Sequence, residues 1–236
     1  MNLPAPAGTV VVFAKVPEPG RVKTRMCPPL SPTQAAGLYS AMLDDVLHAT
    51  AEFARQLGLE ALLALHPGAA CEQWAERVPP GYRIIAQRGD SLGERMANAV
   101  DEVAAEEGRG QRPILLRGSD SPALPMDRLT QALRALKEHD IALSPDRDGG
   151  YSLVGLVRPW PGLFALPLST GHVLQDTLAR ARELGARATL VGNSFDLDRI
   201  EDLLELRRVA QGPQADLCRR TLEFVGRANM WPAPAS

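Results

Sequence analysis

The sequence predicts an α/β fold with a mainly parallel sheet, on three observations. Short β-rich runs alternate with longer amphipathic stretches along the chain. The first run, "TVVVFA" at 9–14, is continuously apolar and β-branched, the pattern of a strand buried on both faces. Four loops rich in charged residues and glycine each follow a strand run, and ligands of parallel sheets bind beyond the strand C-termini. The 236 residues can bury a substantial core, and no linker or internal repeat divides them, so 1–236 reads as a single domain.

The elements follow in order. After "TVVVFA", Ser31 and Pro32 give a helix N-cap and a proline in the first turn, and the helix should run from 32 to 56 and stop at Gly58. "EALLALH" (60–66) is a strand, a short helix covers 70–77, and "YRIIAQ" (82–87) is the third strand. A helix over 91–108 should stop at Gly108, "PILLRG" (113–118) is the fourth strand, and 125–139 is helical. "DIALSP" (140–145) and "YSLVGLV" (151–157) are strands, 170–185 is a helix, "RATLVG" (187–192) is a last strand, and 199–210 and 213–227 are closing helices. Residues 1–8 and the Pro/Ala-rich 229–236 are expected to fray.

Composition excludes several classes. A net charge of −2 gives no global field toward nucleic acid or an anionic membrane, so any positive site must be local. No run of about 18 apolar residues would span a bilayer. "MNLPAPAG" has neither the basic nor the apolar segment of a signal peptide. Cys27, Cys71 and Cys218 are far apart with no CxxC spacing, which reads as free thiols and a cytoplasmic location. The four histidines share no ligand spacing, and sparse aromatic residues argue against a stacking platform for single strands.

The loops carry the chemistry. "FAKVPEPGRVKTRM" (13–26) places Lys15, Arg21, Lys23 and Arg25 after strand one, with Glu18 as its one acid. Arginine grips phosphate oxygens bidentately and lysine acts as a point charge, while Gly20 lets the backbone approach a ligand. The alternative is a solvated loop. Val22 stands where a Walker A motif needs glycine, and there is no GxGxxG. In "LLRGSDSP", Asp120 falls just past strand four, placed either to hold Mg²⁺ or Mn²⁺ or to cap a turn. "SPDRDGGYSLVG" supplies Asp146, Asp148 and the Gly149–Gly150 pair, which is equally an ordinary hairpin signal. In "NSFDLDRIEDL", Asp196 and Asp198 would face one side of an extended segment and approach one cation, or Asp198 would cap a helix with Glu201. Asp90, Ser91 and Gly93 precede a helix whose N-terminus attracts anions, with Arg95 and Asn98 one turn apart.

Six stretches in this order, "FAKVPEPGRVKTRM", "GDSLGERMANA", "GSDSPAL", "DRDGGYSLVGL", "LSTGHVLQDTL" and "DLDRIEDL", resemble the DUF2064 proteins of the nucleotide-diphospho-sugar transferase superfamily. The resemblance covers roughly residues 9 to 205. It implies a GT-A-like three-layer α/β/α sandwich that binds a nucleotide over the strand C-termini. It implies a first loop, Ala14 to Arg25, in the nucleotide site, a divalent metal at Asp120, to which the spacing of Asp196 and Asp198 adds them as candidate ligands, and Gly149, Gly150 and Tyr151 on the acceptor side. Two positions depart from the pattern: Ala123 where an acid is frequent and Leu168 where a tryptophan is common. "KTRMCPPLSPTQAAGLYSAMLDDVL" also resembles the start of phospholactate guanylyltransferases, which share the fold.

The expected reaction is metal-dependent sugar transfer from a nucleoside diphosphate sugar to a small-molecule acceptor. Asp120 would hold the metal at the departing diphosphate, and Asp148 would deprotonate an acceptor hydroxyl, typically worth about 10²–10⁴-fold. The alternative is nucleotidyl transfer from a nucleoside triphosphate to a phosphorylated acceptor with release of pyrophosphate, in which no general base is needed. A third reading is a non-catalytic nucleotide-binding protein, against which stand the three aspartates Asp120, Asp148 and Asp198. The chain is expected to act as a monomer or homodimer.

Overall fold

The computed structural model describes residues 6–106, 112–168 and 170–232. Seven strands form one sheet: β1 (Gly8–Lys15), β2 (Leu59–His66), β3 (Tyr82–Ala86), β4 (Ile114–Gly118), β5 (Ile141–Pro145), β6 (Tyr151–Leu156) and β7 (Ala188–Leu190). Their order is β3-β2-β1-β4-β6-β5-β7, and β6 runs antiparallel to both neighbours while the other pairings are parallel. The helices are α1 (Pro32–Leu57), α2 (Cys71–Trp74), α3 (Leu92–Ala104), α4 (Met126–Ala135), α5 (Val173–Glu183), α6 (Asp202–Val209) and α7 (Arg219–Arg227).

The central strand is buried because its neighbours leave it no edge. Val10, Val11 and Val12 are fully buried between β2 and β4, and their alternation sends Val11 to one face and Val10 and Val12 to the other. On Val11's face, Met96, Ala99, Val100 and Val103 of α3 and Ala181 of α5 pack on Leu62, Leu116 and Leu143. On the opposite face, Val46, Leu47, Phe53 and Ala54 of α1 and Leu129 and Ala132 of α4 pack on Leu63, Leu65, Leu115 and Leu153. The result is the three-layer sandwich expected, and no described helix is long and apolar enough to cross a membrane.

Local chemistry sets the boundaries. Ser31 caps α1 as predicted: its Oγ accepts from the Gln34 N–H while Gln34 Oε1 accepts from the Ser31 N–H, and Gly58 ends the helix in the left-handed region. The helix predicted over 125–139 ends at Ala135 and the one over 170–185 begins at Val173. The helix predicted over 199–210 begins at Asp202, and 3-10 geometry takes Ala215–Cys218 ahead of α7. The helix predicted over 91–108 runs from Leu92 and ends at Ala104, short of the predicted stop at Gly108, which itself lies outside the described residues, as do 1–5 and 233–236 of the termini expected to fray. The rest of that expectation is corrected. Gly8 already pairs with Leu59, and Met230 is buried against the α7 end with its N–H on the Val225 carbonyl.

The closing helix is anchored by one buried acid. Asp45 on α1 accepts from the Thr221 N–H and Thr221 Oγ1, both at 2.8 Å, and from the Arg220 N–H at 3.1 Å. A carboxylate there answers the unpaired N–H groups and the positive end of α7. Asp45→Ala is expected to cost about 2–3 kcal/mol, because buried donors lose their acceptor. The thermal midpoint should fall by roughly 4–12 °C, at about 2–4 °C per kcal/mol for a chain of this size. A calorimetric scan with an unchanged midpoint would show that α7 is held by its apolar face alone.

Candidate functional site

The C-terminal ends of β1, β4 and β5 open into a cavity of about 1010 Å³. Its walls are the loops singled out from the sequence. Ala14, Lys15, Arg21, Lys23 and Arg25 come from the loop after β1, Asp120 from the loop after β4, and Asp148, Gly150 and Tyr151 from the β5–β6 turn. Asp90, Gly93 and Arg95 border it at the N-terminus of α3. Asp196 and Asp198 enter from the segment after β7. Parallel strands deliver all these loops to one edge of the sheet, so residues far apart in the chain meet there.

Lys23 is the centre of the arrangement. Its backbone turns through the left-handed region at φ 49°, which swings the side chain inward instead of along the loop surface. The side chain is 3% exposed, and Nζ lies 2.5 Å from Asp120 Oδ1 and 2.9 Å from Asp198 Oδ1. Burial alone would push the ammonium toward neutrality. The two carboxylates outweigh it and hold the Lys23 pKa above the ordinary lysine value. Burial would raise the Asp198 carboxyl, but Lys23 and then Arg25, 3.6 Å away, bring it below the usual range. Asp120 and Asp198 remain 39% and 33% exposed, so both still face the cavity.

The loop carrying Asp120 is tied down from below. Arg117 on β4 is buried and donates to Thr50 Oγ1 at 2.8 Å and to the Ser121 carbonyl at 2.9 Å. Burial lowers its pKa to about 10. Ser119 Oγ lies 2.7 Å from the hydroxyl of Tyr39 on α1, which also accepts from the Lys15 N–H at 3.0 Å. Tyr39 thus couples the first loop to the loop after β4. Burial pushes its hydroxyl pKa up to about 12 and keeps it neutral.

Several expectations change at this level. Asp196 and Asp198 both line the cavity, but not as same-face neighbours on an extended segment. The segment between β7 and α6 is not a strand, so the two-residue repeat does not hold. Asp196 turns inward, where Oδ1 accepts from Ser121 Oγ and from Ser152 Oγ at 2.9 Å. Burial, with Asp146 and Asp120 nearby, raises its pKa well above its ordinary value. These two contacts latch β6 to the loop after β4. The capping box expected of Asp198 and Glu201 is replaced by Asp202, whose Oδ2 accepts from the Asp198 and Arg199 N–H groups at 2.9 and 2.7 Å.

Asp148 borders the cavity, but its Oδ1 accepts from the Gly150 N–H at 3.0 Å, a turn-forming contact. Gly149 lies outside the lining. Its φ is 86°, and a Cβ there would sit 2.0 Å from the Gly171 carbonyl oxygen, so glycine is required by close backbone approach. Gly20 also has positive φ, at 76°, a Cβ there would meet nothing within 4 Å, and it lies outside the lining. Asn98 lies outside the lining too; its Nδ2 donates to the Arg88 carbonyl and braces the loop before α3. The residues missed in the sequence, Tyr39, Ser119, Ser121 and Ser152, carry no local signal, because the side-chain contacts that place them in the site reach residues at least 24 positions away in the chain.

No three His, Cys, Asp or Glu side chains among the described residues form a ready metal cage. What the site offers is two cavity-facing carboxylates sharing one cation, with further cations on the loop around them. Such a donor set suits a divalent ion that completes its shell with substrate phosphates.

The chain belongs to the family described as "Uncharacterized protein conserved in bacteria (DUF2064)", whose model matches residues 49–169. It is 32% identical to the 3-phospho-D-glycerate guanylyltransferase of Phenylobacterium zucineum, over 86% of this chain and 89% of that one. It is 30% identical to the phosphoenolpyruvate guanylyltransferase of Sphaerobacter thermophilus, over 84% of this chain and 92% of that one. Among solved structures it matches a proposed nucleotide-diphospho-sugar transferase of Desulfovibrio desulfuricans G20 with a TM-score of 0.78 and 29% identity, over 94% of this chain and 98% of that one. The chain is therefore a transferase with the nucleotide-diphospho-sugar transferase fold. Its curated relatives favour the nucleotidyl-transfer alternative over sugar transfer.

Proposed function

We propose that the protein transfers a nucleotidyl group from a nucleoside triphosphate to a small phosphorylated acceptor, releasing pyrophosphate. The observation that carries this reading is the cation-lined end of the cavity, where Lys15, Arg21, Lys23, Arg25 and Arg95 converge beside Asp120 and Asp198. Guanylyl is the favoured group, by likeness to relatives named for its transfer. Five cations suit the charge of a triphosphate better than that of a diphosphate sugar.

In this reading an oxygen of the acceptor phosphate attacks the α-phosphorus. The new P–O bond forms as the bond to the β-phosphate bridging oxygen breaks, and pyrophosphate leaves with that electron pair. The acceptor phosphate is already ionised, so no base is required and Asp148 has no proton to take. Arg21 and Arg25 grip the β- and γ-phosphates, Lys23 neutralises charge at the bridging oxygen, and backbone N–H groups at the start of α3 orient the nucleotide. Asp120 and Asp198 would hold Mg²⁺ or Mn²⁺, which when bound would supply further neutralisation of the leaving group. Asp196 is assigned to the structure of the site. The three free cysteines fit a cytoplasmic setting.

Sugar transfer is kept as the second reading because the Desulfovibrio relative is named for a nucleotide-diphospho-sugar. Thermal shifts against nucleoside triphosphates and nucleoside diphosphate sugars, with and without Mn²⁺, separate the two. Stabilisation by GTP, and pyrophosphate release when a phosphorylated acceptor is added, are expected. A response to diphosphate sugars with none to any triphosphate would end the nucleotidyl reading.

A further inference from the structure

Gln87 is a buried side chain with half of its amide unused. It directly follows β3, is 9% exposed and borders the cavity. Its backbone N–H donates to the Leu65 carbonyl at 3.0 Å, which carries the β2–β3 pairing one residue further. The side chain then reaches across β2 to β1. Nε2 donates to the Ala64 carbonyl at 2.8 Å and to the Ala14 carbonyl at 3.0 Å. Two carbonyl acceptors take both amide protons and fix which end of the amide is nitrogen. A free glutamine can turn over and serve as donor or acceptor, but this one can only accept. Among the described residues, the buried side-chain polar atoms without a partner are Arg117 Nε and Trp160 Nε1, so Gln87 Oε1 is unpaired yet reaches open space. A fixed, unpaired acceptor beside a cavity calls for a donor carried in by the ligand.

Building on the nucleotidyl-transfer reading, we infer that Gln87 reads the base of the nucleotide and selects guanine, accepting through Oε1 from the ring edge that carries N1–H and the 2-amino group. The sheet order supplies the direction. β3 and β4 lie on opposite sides of β1. The reacting phosphates belong with Lys23 and Asp120, beyond β1 and β4, which leaves the β3 flank to the nucleoside. Gln87 is bonded to Ala14, next to Lys15, so that flank adjoins the loop that carries the cations. Phe13 and Met96 border the cavity from the α3 face of the sheet and offer apolar surface to a planar base. Asp90, three residues beyond Gln87, also borders the cavity, and a carboxylate is a second acceptor. Guanine sets two donors side by side on one edge. Adenine turns the lone pair of its N1 toward the same oxygen, and uracil flanks its N–H with two carbonyl oxygens. A buried acceptor left facing another acceptor loses its hydrogen bond, which is how such sites reject the wrong ligand. Likeness to relatives named for guanylyl transfer favours the same base, and Gln87 Oε1 supplies a physical reason within this chain.

Nucleotide analogues probe the two edges of the base without altering the protein. Calorimetric binding to the full chain with Mg²⁺ should favour GTP over ATP by at least about tenfold, ~1.4 kcal/mol. 1-Methyl-GTP, whose N1 proton is replaced by a methyl group, should bind at least about tenfold more weakly than GTP, while 7-deaza-GTP, altered at the opposite edge, should stay within about threefold of it. Gln87→Met keeps the length of the side chain without its amide and should cut the GTP-to-ATP ratio to below roughly threefold. Equal binding of GTP and ATP to the unaltered protein overturns the inference. So does undiminished binding of 1-methyl-GTP, or an unchanged ratio in Gln87→Met. If the variant fails to fold because the Ala14 and Ala64 carbonyls lose their donor, the side-chain amide resonance of Gln87 in the unaltered chain decides. A resonance that moves with GTP and not with 1-methyl-GTP supports the inference, and one left unmoved by saturating GTP overturns it. A preference for guanosine over adenosine diphosphate sugars, with no pyrophosphate released from any triphosphate, supports the inference while removing the nucleotidyl-transfer reading. Pyrophosphate release with no preference among bases does the reverse.

Discussion

Lys23→Met should lose both stability and nucleotide binding. The side chain is 3% exposed and its ammonium sits between Asp120 and Asp198 at 2.5 and 2.9 Å. Methionine fills nearly the same volume, so the change removes charge with little loss of packing. The two carboxylates then face each other, with Arg25 at 3.6 Å from Asp198 the remaining close cation among the described pairs. Breaking a fully buried pair costs about 3–5 kcal/mol. Here the carboxylates are a third or more exposed and water screens them, so about 2–3 kcal/mol is expected, or roughly 4–12 °C in the thermal midpoint. Mg²⁺ should raise the midpoint of the variant more than that of the wild type, because a divalent cation can take the place between the acids. Turnover should fall by about 10²–10³-fold, the usual cost of losing one preorganised charge at a leaving group. A variant that melts and binds GTP like the wild type would overturn the central role given to this lysine.

Asp120→Asn should separate the metal from the fold. The amide keeps the shape of the side chain, and Lys23 retains Asp198 at 2.9 Å. Stability should therefore change by no more than about 1 kcal/mol, the range of a partly exposed ion pair. The metal-dependent part of nucleotide stabilisation should disappear, and turnover should fall by on the order of 10³-fold if both metal binding and charge neutralisation depend on this oxygen. The metal-independent part, carried by Arg21, Arg25 and the start of α3, should persist. Thermal shifts with GTP, with and without Mn²⁺, read both parts at once. An undiminished metal-dependent shift would move the metal away from Asp120.

Much of the fold was legible because its signals are local. Ser31–Pro32 and Gly58 bracket α1 through side-chain and backbone chemistry confined to a few residues. Each strand was found within a residue or two, the central ones because a strand buried on both faces must be continuously apolar, although the last, at the sheet edge, shortens to Ala188–Leu190. The errors arise where local and tertiary preferences compete. Residues 136–139 have helical composition, but α4 ends at Ala135 as the chain turns back into β5. The geometry expected of Asp196 and Asp198 presumed an extended segment, whereas two serine hydroxyls hold Asp196 and buried Lys23 holds Asp198.

By itself, the sequence determined the strand–helix alternation, and hence the edge of the sheet at which chemistry gathers. It also determined which loops bring the cations and acids there. Both follow from patterns a few residues long: apolar runs, caps, glycine turns and charge density. Tertiary structure alone decided which acid meets which base. It folded Lys23 inward between Asp120 and Asp198, turned Asp196 onto Ser121 and Ser152, and closed Arg147 onto Glu205. These partners are separated by up to 175 residues. Their pairing is set by backbone direction at the ends of neighbouring strands, and no periodicity along the chain encodes it.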